Sequence, residues 1–267
     1  MWRVARGAAV AYLTVLLLLM LFEESLIFFP TRYPEGDWHP AGLTLEDAHF
    51  TASDGTRLHG WYVDHPDPCA TLLFAHGNAG NLSDRTDMLR SLHAVVGVRV
   101  LIFDYRGYGR SEGQPDEAGI VADARAARQW LAERTDQSPS DIVLMGRSLG
   151  GGVVVDLAAH DGARGLVLES TFTSLPDVAA YHYPWWLPVR QLMQTRLDSL
   201  HTIKDYHGPL LQSHGDADEI VPFRLGERLF QAAPNRSKQW ITIPDGHHND
   251  PQPASYYRQL RDWLDAI

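Results

Sequence analysis

A chain of 267 residues, 45% hydrophobic and 21% charged, has the composition of one large globular domain with a sizeable core. Its formal net charge of −10 argues against nucleic acid as a partner, because neutralising phosphates needs a basic face and none is evident. The sequence holds no lysine-bearing phosphate loop, no H-E-x-x-H pair and no calcium-loop pattern, and its single cysteine, Cys69, excludes an internal disulfide.

The N-terminus differs in composition from everything after it. Residues 7–22 are apolar or small without interruption, apart from the polar-tipped Tyr12 and Thr14. Alone this run falls short of the ~20 residues that cross a bilayer. Val4 and Ala5 extend it, and Arg3 and Arg6 can snorkel to the surface. The run stops at Glu23-Glu24 without a small-residue cleavage site, so residues 1–24 are expected to be an uncleaved signal-anchor helix. A cleaved signal peptide and a buried core helix are the competing readings. Arginines before the run and carboxylates after it put the N-terminus in the cytoplasm and the rest on the periplasmic or outer side of a single-pass protein.

Residues 26–40 read as an extended, proline-punctuated arm. Residues 50–63 alternate around Asp54-Gly55, the signal of a β-hairpin. Apolar runs at 71–75, 98–103, 142–145, 166–168, 209–211 and 240–243 are then separated by helical patterns. Those patterns include residues 83–95, a helix placing Ile120, Ala124, Ala127 and Leu131 on one face, and a last helix over 254–264. Short buried strands alternating with helices predict an α/β domain over residues 25–267. Its sheet is mostly parallel with helices on both faces, and an antiparallel hairpin lies at the N-terminal edge. Ligands of such sheets sit at the C-terminal ends of the strands.

Four of those ends carry unusual residues. Gly146-Arg147-Ser148-Leu149-Gly150 lies between a strand and a helix, the context of a G-x-S-x-G nucleophile elbow. Ser148 is the candidate nucleophile, and the Leu149 N–H at the helix N-terminus can face a developing oxyanion. His76-Gly77-Asn78-Ala79-Gly80 offers Asn78 as a second oxyanion donor, with a plain glycine turn as the alternative. The loop from His214 to Pro222 holds three carboxylates. Asp218 is favoured to orient a histidine, with Asp216 as turn former and Glu219 solvated, and Glu169 is an outside candidate for the acid.

The fourth end, residues 244–250, carries His247 and His248. Only one of them can act as base, since successive side chains diverge. A metal site in this loop would have nearly contiguous ligands and no second cluster to complete it. The order Ser, Asp, His is that of the α/β-hydrolase triad. Residues 107–113 have the wrong glycine spacing for a dinucleotide fingerprint and read as a structural turn. Phe172, Tyr181, Tyr183, Trp185 and Trp186, interrupted by Pro184 and Pro188, suggest a small helical lid at about 171–205. Phe172, Tyr181, Trp185 and Trp186 are its expected pocket residues.

With these residues in hand, the chain resembles the α/β-hydrolase superfamily, and more narrowly its Bem46-like, ABHD13-like membrane-anchored branch. The resemblance rests on Phe28-Phe29-Pro30, His76-Gly77-Asn78-Ala79-Gly80-Asn81, Asp104-Tyr105-Arg106-Gly107-Tyr108-Gly109 and Gly146-Arg147-Ser148-Leu149-Gly150. Glu169-Ser170-Thr171-Phe172-Thr173-Ser174, His214-Gly215-Asp216 with Asp218 and Val221-Pro222, and Gly246 with His248-Asn249-Asp250 complete it. The branch's G-x-H-N-D pattern implies His248 as the catalytic histidine and Asp218 as the acid. Depalmitoylating relatives use an N-terminal cysteine cluster, which is missing here, so that role is not carried over.

The expectation is a serine hydrolase that cleaves esters or thioesters through an acyl-enzyme, on a small-molecule or lipid-like acyl substrate at the membrane. It needs no metal or organic cofactor. The alternatives are a prolyl-oligopeptidase-like peptidase, for whose gating domain the chain has no length, and a non-catalytic hydrolase-fold binding module.

Overall fold

Aliphatic and β-branched runs bounded by glycine and polar residues form eight strands in the computed structural model, which describes residues 2–234 and 236–267. They are β1 Glu46–Thr51, β2 Arg57–Val63, β3 Thr71–Ala75, β4 Arg99–Phe103, β5 Val143–Arg147, β6 Gly165–Glu169, β7 Leu210–Gly215 and β8 Lys238–Ile243. One sheet contains them all in the order β1-β2-β4-β3-β5-β6-β7-β8. β1 pairs antiparallel with β2, and β2 with β4, while every other pairing is parallel. The expected mostly parallel sheet with an antiparallel N-terminal edge is therefore borne out.

The helices are α1 Trp2–Leu21, α2 Glu23–Ile27, α3 Thr86–Ser91, α4 Glu117–Thr135, α5 Leu149–Asp161, α6 Leu175–His182, α7 Val189–Leu192, α8 Ser199–Thr202, α9 Phe223–Ala232 and α10 Ala254–Ala266. Side chains alternate across each strand, so both sheet faces carry a core. Leu73, Leu101 and Leu144 pack with Ile120, Ala124 and Leu157 of α4 and α5. Leu72, Val100 and Val143 face the opposite way, toward Leu89 of α3 and Leu260 and Trp263 of α10.

Two expectations change. The hairpin does turn at Asp54-Gly55, with Gly55 at φ 91°, but its first strand begins at Glu46 rather than residue 50. The helix expected over 83–95 is three pieces: a 3-10 turn Leu82–Arg85, α3, and a π turn Leu92–Val96. Asn81 caps the first piece, its side chain accepting from Ser83 N at 2.9 Å. At the other end the widened turn lets Gly97, at φ 74°, donate back to Leu92 O at 3.0 Å.

Met1 lies outside the described residues. From Trp2 to Leu21, α1 is long and apolar enough to cross a membrane, and none of its residues is buried. The arm after α2 runs along the loops that follow β3 and β4. Thr31 N donates to Gly80 O at 3.0 Å, and Tyr33 N to Gly109 O at 2.9 Å. Helices α6 to α8 occupy the insertion between β6 and β7.

Candidate active site

The elbow is as sharp as its glycines allow. Ser148 takes φ 52°, ψ −116° between β5 and α5, a strained backbone for a residue with a side chain. A Cβ on Gly146 would lie 2.3 Å from Gly150 O, and one on Gly150 would lie 2.0 Å from Ala75 O. The turn closes only without those carbons. Ser148 N donates to Glu169 O at 2.9 Å, and Thr171 Oγ1 donates to Ser148 O at 2.9 Å, which fixes the peptide and leaves the side chain at the surface of a cleft.

The loops after β7 and β8 bring Asp218 and His248 to this serine. His248 Nε2 is 3.0 Å from Ser148 Oγ, and His248 Nδ1 is 2.7 Å from Asp218 Oδ2. An ionised carboxylate only accepts, so Nδ1 carries the proton and Nε2 is free to accept from the hydroxyl. Burial works to raise the Asp218 pKa. Hydrogen bonds from His214, His248 and the Val221 N–H outweigh that effect and hold the carboxyl well below the ordinary carboxylate range. Its Oδ1 accepts from Ile220 N at 2.9 Å and Val221 N at 2.8 Å.

The neighbouring candidates fall elsewhere. Asp216 Oδ1 accepts from Asp245 N at 2.7 Å and so ties the two loops together. His247 is exposed and pairs through Nδ1 with Glu219 at 2.8 Å. Glu169 does not reach His248. Its carboxyl is buried near Tyr256 and Gln252 with no direct hydrogen bond among the described residues, and burial pushes its pKa up.

Asn78 and Leu149 flank Ser148 in the wall of a cavity of about 1120 Å³. Among the described residues neither backbone N–H donates to another protein group. The Asn78 side chain is occupied: Nδ2 donates to Ile27 O, while Oδ1 accepts from Phe29 N at 3.1 Å and from the Tyr108 hydroxyl at 2.8 Å.

The aromatic expectation needs correction. Phe172 lines the cavity, but Tyr181, Trp185 and Trp186 do not. The helical period of α6 turns Leu175, Val178, Ala179 and His182 inward and leaves Tyr181 on the other side, beneath the Arg224 guanidinium 5.2 Å from its ring centroid. The loop opened by Pro184 then carries Trp185 outward and Trp186 against Tyr12 of α1, with ring centroids 6.3 Å apart.

Sequence reasoning missed two supports. Arg147 Nη2 donates to His248 O at 2.7 Å and Asp250 O at 2.9 Å. His214 Nε2 lies 2.9 Å from Val221 O and 3.1 Å from Asp218 Oδ2. The second had a signal, a histidine one helical turn's spacing before the acid. The first had none beyond its place in the elbow.

A family model for the alpha/beta hydrolase fold matches residues 70–215. The chain is 42% identical over 235 residues to an uncharacterized protein of Mycobacterium tuberculosis, covering 86% of this chain and 82% of that protein. It is 30% identical over 275 residues to protein bem46 of Schizosaccharomyces pombe, covering 97% and 91%. Among solved structures, the esterase Pf2001 of Pyrococcus furiosus superposes with a TM-score of 0.74 at 20% identity, covering 89% of this chain and 98% of that one, a likeness of fold.

Proposed function

Because the chain belongs to the α/β-hydrolase fold family, in its Bem46-like branch, we propose that it is a serine hydrolase cleaving carboxylic esters or thioesters through an acyl-enzyme. The observation that carries this is the unbroken hydrogen-bond chain from Ser148 Oγ through His248 to Asp218, at 3.0 Å and 2.7 Å. In the first step His248 Nε2 takes the hydroxyl proton as Ser148 Oγ attacks the carbonyl carbon. The Asn78 and Leu149 N–H groups hold the oxyanion, and Asp218 stabilises the imidazolium. The imidazolium then protonates the leaving alcohol or thiol. In the second step water, deprotonated by the same imidazole, releases the acid and restores the hydroxyl.

Residues 1–24 serve in this reading as an uncleaved anchor, with residues 25–267 as the catalytic domain on the periplasmic or outer side and 171–205 as a lid. The apolar cavity wall and the attached span favour an acyl or lipid-like substrate. A fluorophosphonate probe tests the chemistry: labelling of the wild type that vanishes in Ser148→Ala is expected. No labelling of folded wild type would favour a non-catalytic module. For topology, a periplasm-active reporter at the C-terminus should be active.

A further inference from the structure

The catalytic domain does not build the cavity beside Ser148 alone. Leu19 and Met20 in the last turn of α1, and Leu26 and Ile27 in α2, line the same cavity as Ser148 and His248. Between them Glu23 is buried, and its carboxylate accepts from Gln194 N at 2.9 Å and Thr195 N at 2.7 Å. A buried carboxylate is tolerated only when it is bonded in this way, so the junction of α1 and α2 is clipped to the segment between α7 and α8.

The lid reaches back along the apolar helix. The Tyr12 hydroxyl donates to Trp186 O at 3.0 Å. Tyr12 sits about nine residues before the end of α1, or roughly 13 Å along it at the helical rise. The lid loop therefore lies beside the middle of α1, not at its end. There Trp185 is 95% exposed and Trp186 54% exposed, and Phe22, Leu26 and Phe29 stand exposed near the mouth. Exposed apolar side chains beside an unburied apolar helix are what a bilayer covers.

We propose that the lid loop bearing Trp185 and Trp186 inserts into the bilayer beside α1, and that the cavity is loaded sideways from the lipid by a bilayer-resident acyl ester. Its chain passes between the last turn of α1 and α6 while its carbonyl stops at Ser148. At about 1120 Å³ the cavity exceeds the usual range for small soluble ligands and has room for a long chain. The proposal rests on the serine hydrolase and membrane-anchor readings above.

The test uses full-length protein in phosphatidylcholine vesicles with two substrates, water-soluble p-nitrophenyl butyrate and a pyrene-labelled long-chain acylglycerol in the same vesicles. In Trp185→Glu/Trp186→Glu, hydrolysis of the embedded ester is expected to fall about tenfold or more, because carboxylates are poorly tolerated in lipid. Butyrate hydrolysis should stay within about twofold, because neither tryptophan lines the cavity. Equal loss of both activities, or loss of neither, overturns the proposal.

Insertion is read separately in Ser148→Ala protein with brominated phosphatidylcholine. A quenched fluorescence component should disappear in the Trp185→Phe/Trp186→Phe version, and no difference between the two overturns insertion. Quenching without hydrolysis of either ester would instead fail the hydrolase reading and leave insertion standing.

Discussion

Arg147 donates to the main-chain oxygen of His248 at 2.7 Å, so the residue immediately before Ser148 holds the loop that carries the histidine. The same Nη2 also reaches Asp250 O at 2.9 Å, and one guanidinium thus spans both sides of the His248 turn. A shift of the imidazole by about 1 Å can cost on the order of 100-fold in rate. Arg147→Met is therefore expected to lower kcat on a short soluble ester about 10- to 100-fold with little change in KM, and Arg147→Lys to fall between, lacking the planar fork. An unchanged kcat in Arg147→Met would mean that the bonds from Asp245 N to Asp216 and from Ala217 N to Gly246 O hold the loop without it.

The two adjacent histidines should separate cleanly. His248→Ala removes the group facing Ser148 Oγ, and turnover is expected to drop by about 10⁴-fold or more. His247→Ala loses an exposed pair with Glu219, so most activity should remain. Asp218→Asn should cost about 10⁴-fold while the protein stays folded, because an amide no longer enforces the Nδ1–H tautomer. Steady-state rates of the three variants decide the assignment, and an active His248→Ala would reassign the base.

Glu169 gives a stability signature rather than a catalytic one. Burial raises its pKa above the ordinary 4.5, so the folded state holds this proton more tightly than the unfolded chain does. The stability it contributes is complete below about pH 4.5 and is lost as pH rises through the elevated folded value. Glu169→Gln has no proton to lose. Its thermal midpoint should therefore gain on the wild type between pH 5 and pH 7.5, as read by parallel melts in detergent. A gap that narrows over that interval would mean the carboxyl ionises readily where it lies.

Local features were legible in the sequence, and long-range ones were not. The elbow is readable because its strand, glycines and helix are contiguous, and the loops carrying Asp218 and His248 are marked by clustered polar residues at strand ends. His247 and His248 could not be separated from residue type alone, since neighbours in a loop differ only in direction. The family pattern favoured His248, the ring that faces Ser148. Tyr181 was misplaced because the phase of the eight-residue α6 cannot be fixed without the cavity that its Leu175, Val178, Ala179 and His182 line. Trp185 and Trp186 were misplaced because the course of the loop after Pro184 is set by contacts distant in sequence, such as that of Trp186 with Tyr12. Glu23 reads as a solvated charge at the end of an apolar run. Its partners, Gln194 and Thr195, lie 171 and 172 residues away.

The same distance hides the support of Asn78. Its side-chain amide is matched at both ends by the arm that leaves α2, donating to Ile27 O and accepting from Phe29 N at 3.1 Å, with the Tyr108 hydroxyl as a third partner at 2.8 Å. The side chain therefore holds its own backbone N–H, the proposed oxyanion donor, against the segment that follows the membrane-crossing candidate. Asn78→Ala retains that N–H but frees the loop. It should lower kcat by about 10- to 100-fold with KM nearly unchanged, because an oxyanion contact acts in the transition state more than on bound substrate. Tyr108→Phe removes one partner of three and should cost less. A boronic acid that becomes tetrahedral on Ser148 separates positioning from general loosening: its inhibition should weaken in step with kcat across the two variants. If KM rises while boronate affinity holds, Asn78 shapes the cavity and the oxyanion donor lies elsewhere.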